Sequence, residues 1–364
     1  MQYRTLPKTN EKISVIGMGS SVIGAKSEEE IVTVVRYALD HGINYFDMAG
    51  GHASIFEAYG KAFEERREEV MLQVHFGADY TSGAYGWTLD LDQIKKSVAW
   101  MLEKLRTDYI DFGFMHCLDE GSDLKRYIDN GILDYILKLK DEGIVRYIGL
   151  STHSPKIANK VLDMKIIDML MFSINPMYDY GQGDYAYGAS SERYRLYERC
   201  AKEGVGISVM KPFNEGQLLD ARKSPFHRAL TTTQCLQYAL DRPGVVTVLG
   251  GPGDISELKE ILTYLDARDE DKDYSVISTL TPDDTKGRCV YCKHCHPCPV
   301  GLDIGLINKY YDLALLGDTL AKEHYLTLEK KASDCVSCGH CDKRCPFHVA
   351  QSQRMKEIQE YFGV

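Results

Sequence analysis

Eight short apolar runs punctuate the first 280 residues, at 13–17, 43–48, 70–76, 110–116, 147–151, 169–175, 206–211 and 245–250. Most lack a polar face, the pattern of parallel strands buried on both sides. Between them, residues 27–41, 91–105, 131–142, 191–203 and 231–240 show helical periodicity. Parallel neighbours need a crossover, and eight strand–helix units in about 280 residues match a (β/α)8 TIM barrel of the α/β class. A doubly wound open sheet would place a glycine-rich phosphate loop after its first strand, and Gly17-Met18-Gly19-Ser20 is only a fragment of one. Two long loops, 76–90 and 177–192, are rich in Gly and Tyr. In a barrel they sit at the C-terminal mouth, where loops build sites. The acidic stretch 266–274 reads as a solvated linker, which predicts a barrel over 1–280 and a second domain over 281–364.

That second domain is marked by cysteine. Of 11 cysteines, Cys117, Cys200 and Cys235 are scattered and read as ordinary buried residues. The other eight form two runs: Cys289, Cys292, Cys295, Cys298 and Cys335, Cys338, Cys341, Cys345. The later run is C-x2-C-x2-C-x3-C-P, the bacterial ferredoxin spacing, and the earlier is one residue shorter before its last cysteine. A zinc site would use paired cysteines rather than triplets with a distant fourth. The runs therefore predict a mainly helical, ferredoxin-like domain with two [4Fe–4S] clusters. By the ferredoxin pattern each run's fourth cysteine crosses to the other cluster. One cluster then takes Cys289, Cys292, Cys295 and Cys345, and the other Cys335, Cys338, Cys341 and Cys298.

Composition narrows the function classes. Lys plus Arg is 43 against 53 for Asp plus Glu, a net charge of −10, which disfavours a nucleic-acid or anionic-membrane partner. The apolar runs are far shorter than the roughly 18 residues of a membrane span. The N-terminal segment has no apolar signal region, so a cytoplasmic protein is expected.

The segments MQYRTLPKTNEKISVIGMGS, ALDHGINYFDMA, LEKLRTDYIDFGFMH and LKDEGIVRYIGLSTHS resemble successive landmarks of the aldo/keto reductase family. With the cysteine domain, the whole chain resembles the subset carrying a ferredoxin-like dicluster extension. The resemblance implies an Asp, Tyr, Lys, His tetrad in which tyrosine protonates the carbonyl oxygen while NADPH gives hydride. Asp47 matches the aspartate and His116 the histidine. The tyrosine position, five residues after the aspartate, is His52, and the lysine position is His75, so the tetrad reads Asp47, His52, His75, His116. The nicotinamide site is altered as well. The family's Ser-Asn pair is Ser151-Thr152, its glutamine falls at Met171, and its ring-stacking tyrosine at Met210. The residues gripping the 2′-phosphate become Pro252 and Leu258. Backbone N–H groups of Gly250, Gly251 and Gly253 at a helix start remain a candidate anion cradle.

The expected function is an iron–sulfur oxidoreductase acting on a small polar carbonyl, alcohol or related metabolite, with one-electron transfer to or from the clusters. NAD(P)H or a flavin is a further candidate cofactor, and a ferredoxin or other redox protein a candidate partner. Three alternatives stay open. His52, His75 and His116, with His153 nearby, could hold a mononuclear metal for a lyase or hydrolase. The barrel could be an NAD(P)H-dependent carbonyl reductase, or a non-enzymatic electron-carrier module. Lys211, at the end of the seventh strand, could meet a substrate carboxylate or phosphate, or be a surface lysine.

Overall fold

The computed structural model describes residues 1–181, 183–279, 286–316 and 318–364. The expected boundary at 280/281 lies outside the described residues. Eight parallel strands run Ile16–Gly19, Tyr45–Asp47, Met71–Phe76, Ile110–Met115, Val145–Ser151, Met169–Ser173, Gly206–Met210 and Val245–Gly250. Each pairs with its successor, and the last returns to the first through Val248–Ile16 and Gly250–Met18, so the barrel is closed. The apolar run at 13–17 is divided. Lys12–Ser14 pairs antiparallel with Tyr3–Thr5, and the chain enters the barrel only at Ile16. The Ser14 hydroxyl, donating to the Ile16 carbonyl at 2.8 Å, marks that corner.

Side chains alternate along a strand, so residues two apart face the same side. Phe112 and Phe114 pack with Tyr45, Met169, Met171 and Leu249 in one buried cluster. Leu6 and Ile13 of the N-terminal hairpin join it. On the third strand Gln73 and His75 are both buried, two polar residues in an otherwise apolar strand.

Helix starts follow capping chemistry. Ser27 opens Glu28–Asp40 with a reciprocal bond to Glu30, and Thr231 opens Thr232–Leu240 the same way with Gln234. Among the described residues before 280, five α-helices carry no expectation from the periodicity above: Ser54–Phe63, Gly121–Asp129, Pro155–Asp163, Pro176–Asp179 and Ile255–Leu262. In the first of these, Gly60 has a clear reason. A Cβ there would lie 2.4 Å from the Lys104 carbonyl oxygen, so only glycine permits the approach.

The chain packs as two compact units that interleave along the sequence. The first comprises Met1–Ile174, Gly204–Pro212 and Val245–Ala267, and holds all eight barrel strands. The second comprises Asn175–Glu203, Phe213–Gly244 and Arg268–Val364. Within the second, fully buried Arg242 donates to the Tyr194 hydroxyl at 3.1 Å, the Tyr274 hydroxyl at 3.1 Å and the Val290 carbonyl at 2.9 Å. Asp241 accepts from Lys309 at 2.5 Å and from Tyr274 at 2.9 Å. A buried guanidinium is tolerated only when so fully bonded, and here its bonds tie Thr232–Leu240 to the segment just after Cys289. Helices Ile304–Leu315, Thr319–Thr327, His340–Arg344 and Gln351–Phe362 surround a core of Leu302, Ile307, Tyr325, Met355, Ile358 and Phe362. Among the described residues no helix is long and apolar enough to cross a membrane.

Candidate functional site

At the C-terminal end of the barrel, one hydrogen-bonded chain runs through three strands. Asp47 ends the second strand, His75 lies on the third, and His116 follows the fourth. Asp47 Oδ1 lies 2.7 Å from His75 Nε2. His75 Nδ1 lies 3.0 Å from His116 Nδ1, and His116 Nε2 lies 2.9 Å from the Tyr85 hydroxyl. A carboxylate can only accept, so with Asp47 ionised His75 carries its proton on Nε2. His75 Nδ1 then accepts from His116 Nδ1–H, and Tyr85 donates to His116 Nε2.

Gln73 fixes the inner end. Its Oε1 accepts from the hydroxyls of Tyr45 and, at 3.3 Å, Ser208. That orients Nε2 toward Asp47 Oδ1 at 2.7 Å and Met171 Sδ at 3.1 Å, with His75 Nε2 3.0 Å away; Gln73 and His75 then both donate to Asp47 Oδ1 rather than to each other. Met171, at the position expected for a nicotinamide-holding glutamine, is thus a buried lining residue of the barrel.

His52 is left out of this chain. It is exposed, its ring packs on Gly24, and its backbone forms an antiparallel bridge with Ala84. The expected convergence of three imidazoles is therefore a pair plus a phenol. The reason is local: Ala53 N–H donates to the Gly83 carbonyl at 3.4 Å, so the 52–53 backbone pins the loop that presents Tyr85. The same loop folds back as a small hairpin, Ala78–Asp79 against Gly86–Trp87, with Trp87 Nε1 3.5 Å from the His116 carbonyl. Sequence reasoning marked this loop as aromatic but did not single out Tyr85. It also passed over Gln73, whose signal was a polar pair two apart in a buried strand.

Burial, then His75, hold the His116 pKa well below its ordinary value; Tyr85 keeps an exposed ring, and desolvation at its hydroxyl beside His116 raises the phenol above its ordinary value. His116 is therefore neutral at pH 7. The unfolded chain takes up a proton near pH 6.5 that folded His116 refuses, so stability rises with pH in the window below about 6.5. Urea unfolding at pH 5.5 and 7.5 is expected to show a smaller stability difference for His116→Gln than for the native chain. An unchanged difference would refute this account.

His153 sits apart from the pair. Its Nδ1 is 2.9 Å from Asp119 Oδ2, and Asp119 Oδ1 accepts from the His153 N–H at 2.6 Å and the Thr152 hydroxyl at 2.9 Å. Cys117 joins them, its donor atom within 4.8 Å of the others, but burial pushes its thiol up to about 11. Lys211, partly buried beyond the seventh strand, lies within electrostatic reach of Cys117. Cys200 and Cys235 are buried, as expected.

The glycine-rich turn after the eighth strand does not offer a free anion cradle. Gly253 N–H is taken by Glu257 Oε2 at 2.7 Å, and Asp254 caps the helix through Glu257 N at 3.0 Å. A Cβ on Gly250 would meet Ile261 at 2.9 Å, whereas Gly251 has room. Gly250 is thus a packing glycine, and two carboxylates occupy the helix start that a phosphate would need.

In the second unit none of the eight clustered cysteines is in a disulfide. Cys298, Cys335, Cys338 and Cys341 line one cavity together with Leu302 and Met355. Cys295 lies within electrostatic reach of Cys289, Cys292, Cys345 and Cys341. Burial pushes Cys289 up to about 12 and Cys292 up to about 11, so bound iron would supply the positive charge that makes them thiolates. Four cysteines on one cavity and four more in the same unit fit a pair of four-iron clusters.

Comparison with known proteins identifies the family. The aldo/keto reductase family matches residues 15–234, and a 4Fe-4S dicluster domain matches residues 286–349. An uncharacterized oxidoreductase, YqkF, from Bacillus subtilis is 26% identical over 290 residues, covering 74% of this chain and 92% of its own. L-galactose dehydrogenase from Arabidopsis thaliana is 27% identical over 300 residues, covering 71% and 86%. The holo form of aldo-keto reductase AKR11C1 from Bacillus halodurans superposes with a TM-score of 0.62 at 24% identity, over 77% of this chain and 96% of that one, a likeness of fold. The chain belongs to the aldo/keto reductase family, as an oxidoreductase that carries a C-terminal 4Fe-4S dicluster domain.

Proposed function

We propose that this oxidoreductase interconverts a small polar alcohol and its carbonyl compound at the barrel mouth, with Tyr85 exchanging the hydroxyl proton. The observation that carries the reading is the unbroken chain Tyr85–His116–His75–Asp47. Tyr85 donates inward, so an oxygen lone pair remains to receive a proton from a substrate hydroxyl. The Tyr85 proton then passes to His116 Nε2, the His116 Nδ1 proton to His75, and the His75 Nε2 proton to Asp47. Carbonyl reduction runs the same shift backwards. Each transfer crosses a contact of 3.0 Å or less, within the reach general acid–base catalysis needs.

The relay takes the hydroxyl proton; the carbon-bound hydrogen would leave as hydride to a two-electron carrier of the flavin class, which would pass its two electrons singly to the two [4Fe–4S] clusters and release that proton to solvent. The ligand sets are those expected from the spacing: Cys289, Cys292, Cys295 with Cys345, and Cys335, Cys338, Cys341 with Cys298. A ferredoxin or another redox protein is the matching partner class.

Two observations favour this reading over its alternatives. Both nitrogens of His75 and of His116 are engaged in hydrogen bonds, so the pair offers no lone pair for a mononuclear metal without breaking the chain. The helix start at Gly253 is filled by Glu257 and Asp254, which disfavours a dinucleotide phosphate. Anaerobically purified protein is expected to hold about eight iron and eight sulfide, and to turn over alcohols or carbonyls with a one-electron dye. Steady-state NADPH oxidation by a simple aldehyde at micromolar NADPH would overturn the proposal.

A further inference from the structure

Gln351 opens the last helix six residues after Cys345 and is buried to 1% exposure. Its Oε1 accepts from Asn308 Nδ2 at 2.8 Å, which leaves Nε2 facing Cys289 Sγ at 3.7 Å. Asn308 is itself held on its other sides. It donates to the Ile304 carbonyl at 2.7 Å and accepts from Arg354 Nε at 2.5 Å. Arg354 is anchored in turn on Asp312. The amide orientation is thereby fixed, since every other donor and acceptor in the row is assigned.

A second donor lies nearby. Tyr180 belongs to the Tyr-rich loop after the sixth strand, and its ring packs 6.2 Å from that of Phe347, two residues past Cys345. Its hydroxyl is buried with no hydrogen-bond partner among the described residues. Cys292 is within its electrostatic reach. Tyr274, also near Cys292, differs in that its hydroxyl is already bonded to Asp241. Burying a hydroxyl without a partner is costly, and each such group calls for an explanation. A neutral thiol is a weak acceptor, whereas a thiolate or sulfide carrying cluster charge is a strong one.

We propose that Gln351 and Tyr180 donate hydrogen bonds to the sulfur shell of the cluster held by Cys289, Cys292, Cys295 and Cys345, and so raise its reduction potential. Reduction adds negative charge that spreads over the sulfurs, and donors aimed at them stabilise the reduced form. Backbone N–H groups reach both sets, from Tyr291 to Cys289 and His294 to Cys292 and from Ser337 to Cys335 at 3.4 Å, but in the other set Cys338 is exposed. Gln351 and Tyr180 are positioning residues here, since neither touches substrate.

The proposal rests on the cluster reading above, and one experiment separates the two. Full-length protein is purified anaerobically, assayed for iron and sulfide, and titrated potentiometrically with EPR detection. Gln351→Met and Tyr180→Phe are each expected to move one midpoint to a more negative value and leave the other in place. The double variant is expected to shift it by about tenfold in the equilibrium constant, ~59 mV for a one-electron couple. Full iron and sulfide with both midpoints unmoved in the double variant would overturn the proposal. Native protein without iron or sulfide would instead sink the cluster reading itself. If Gln351→Met loses iron, Tyr180→Phe, which removes one oxygen, carries the same test alone.

Discussion

Tyr85→Phe and His116→Ala are each expected to lower turnover by at least about 100-fold, the usual loss when a positioned acid–base group is removed. His52→Ala is expected to stay within a few-fold of the native rate. The contrast follows from geometry. Phenylalanine keeps the packing of Tyr85 on Tyr80, whose ring centroid is 5.8 Å away, and removes only the hydroxyl bonded to His116. His52 contributes its backbone to the bridge with Ala84, which alanine preserves. A relay differs from mere positioning in what Asp47→Asn does. The amide oxygen can still accept from His75 Nε2, so the ring stays in place, but it cannot take up the proton that reaches it. Turnover is expected to fall in Asp47→Asn with KM nearly unchanged. Native-like turnover in Tyr85→Phe, or a large loss in His52→Ala, would show that the family's tetrad position, and not the loop phenol, handles the proton.

The eight-strand barrel was legible because each strand is buried on both faces and so writes an apolar run into the sequence. The one misplacement is instructive. Residues 13–17 are a single apolar run, yet Ser14 turns the chain between a hairpin strand and a barrel strand, and both sides of the turn are buried. Apolarity alone cannot distinguish one strand from two. Asp47, His75 and His116 were legible by register against the family's landmarks, and they do meet. Tyr85 was not, because nothing local marks it. Its partner is 31 residues away, and its place depends on the pairing of a loop with the backbone of residues 52–53. The division into units was illegible for the same reason. Arg242 sits in a stretch that reads as part of the barrel, yet it is satisfied by Tyr274 and the Val290 carbonyl, 32 and 48 residues downstream. Single-sequence periodicity carries no information on such distant partners.

Loss of a cluster is the other large effect, and its pattern across paired variants tests the crossed ligation. Cys298→Ala is expected to remove about four of about eight iron atoms and to abolish dye-linked turnover, since an electron pair then has one carrier in place of two. Which four are lost is the informative part. Cys298 shares its cavity with Cys335, Cys338 and Cys341, though in sequence it is the last cysteine of the other run. If that cavity holds one cluster, Cys298→Ala with Cys341→Ala strikes the same centre twice, and about four iron atoms remain. Cys298→Ala with Cys292→Ala strikes both centres, and none remains. Ligation within each run would reverse the two results, with iron absent from the first double variant and half retained in the second. The barrel strands all lie in the other packing unit, so far-ultraviolet circular dichroism should retain its strand contribution in every variant. That signal guards against reading a collapsed protein as a lost cluster. Leu302 and Met355 line the same cavity as Cys298, Cys335, Cys338 and Cys341. A residue that completes its neighbour's cluster locks two segments of chain about the metal, so each cluster would staple the fold as well as carry charge.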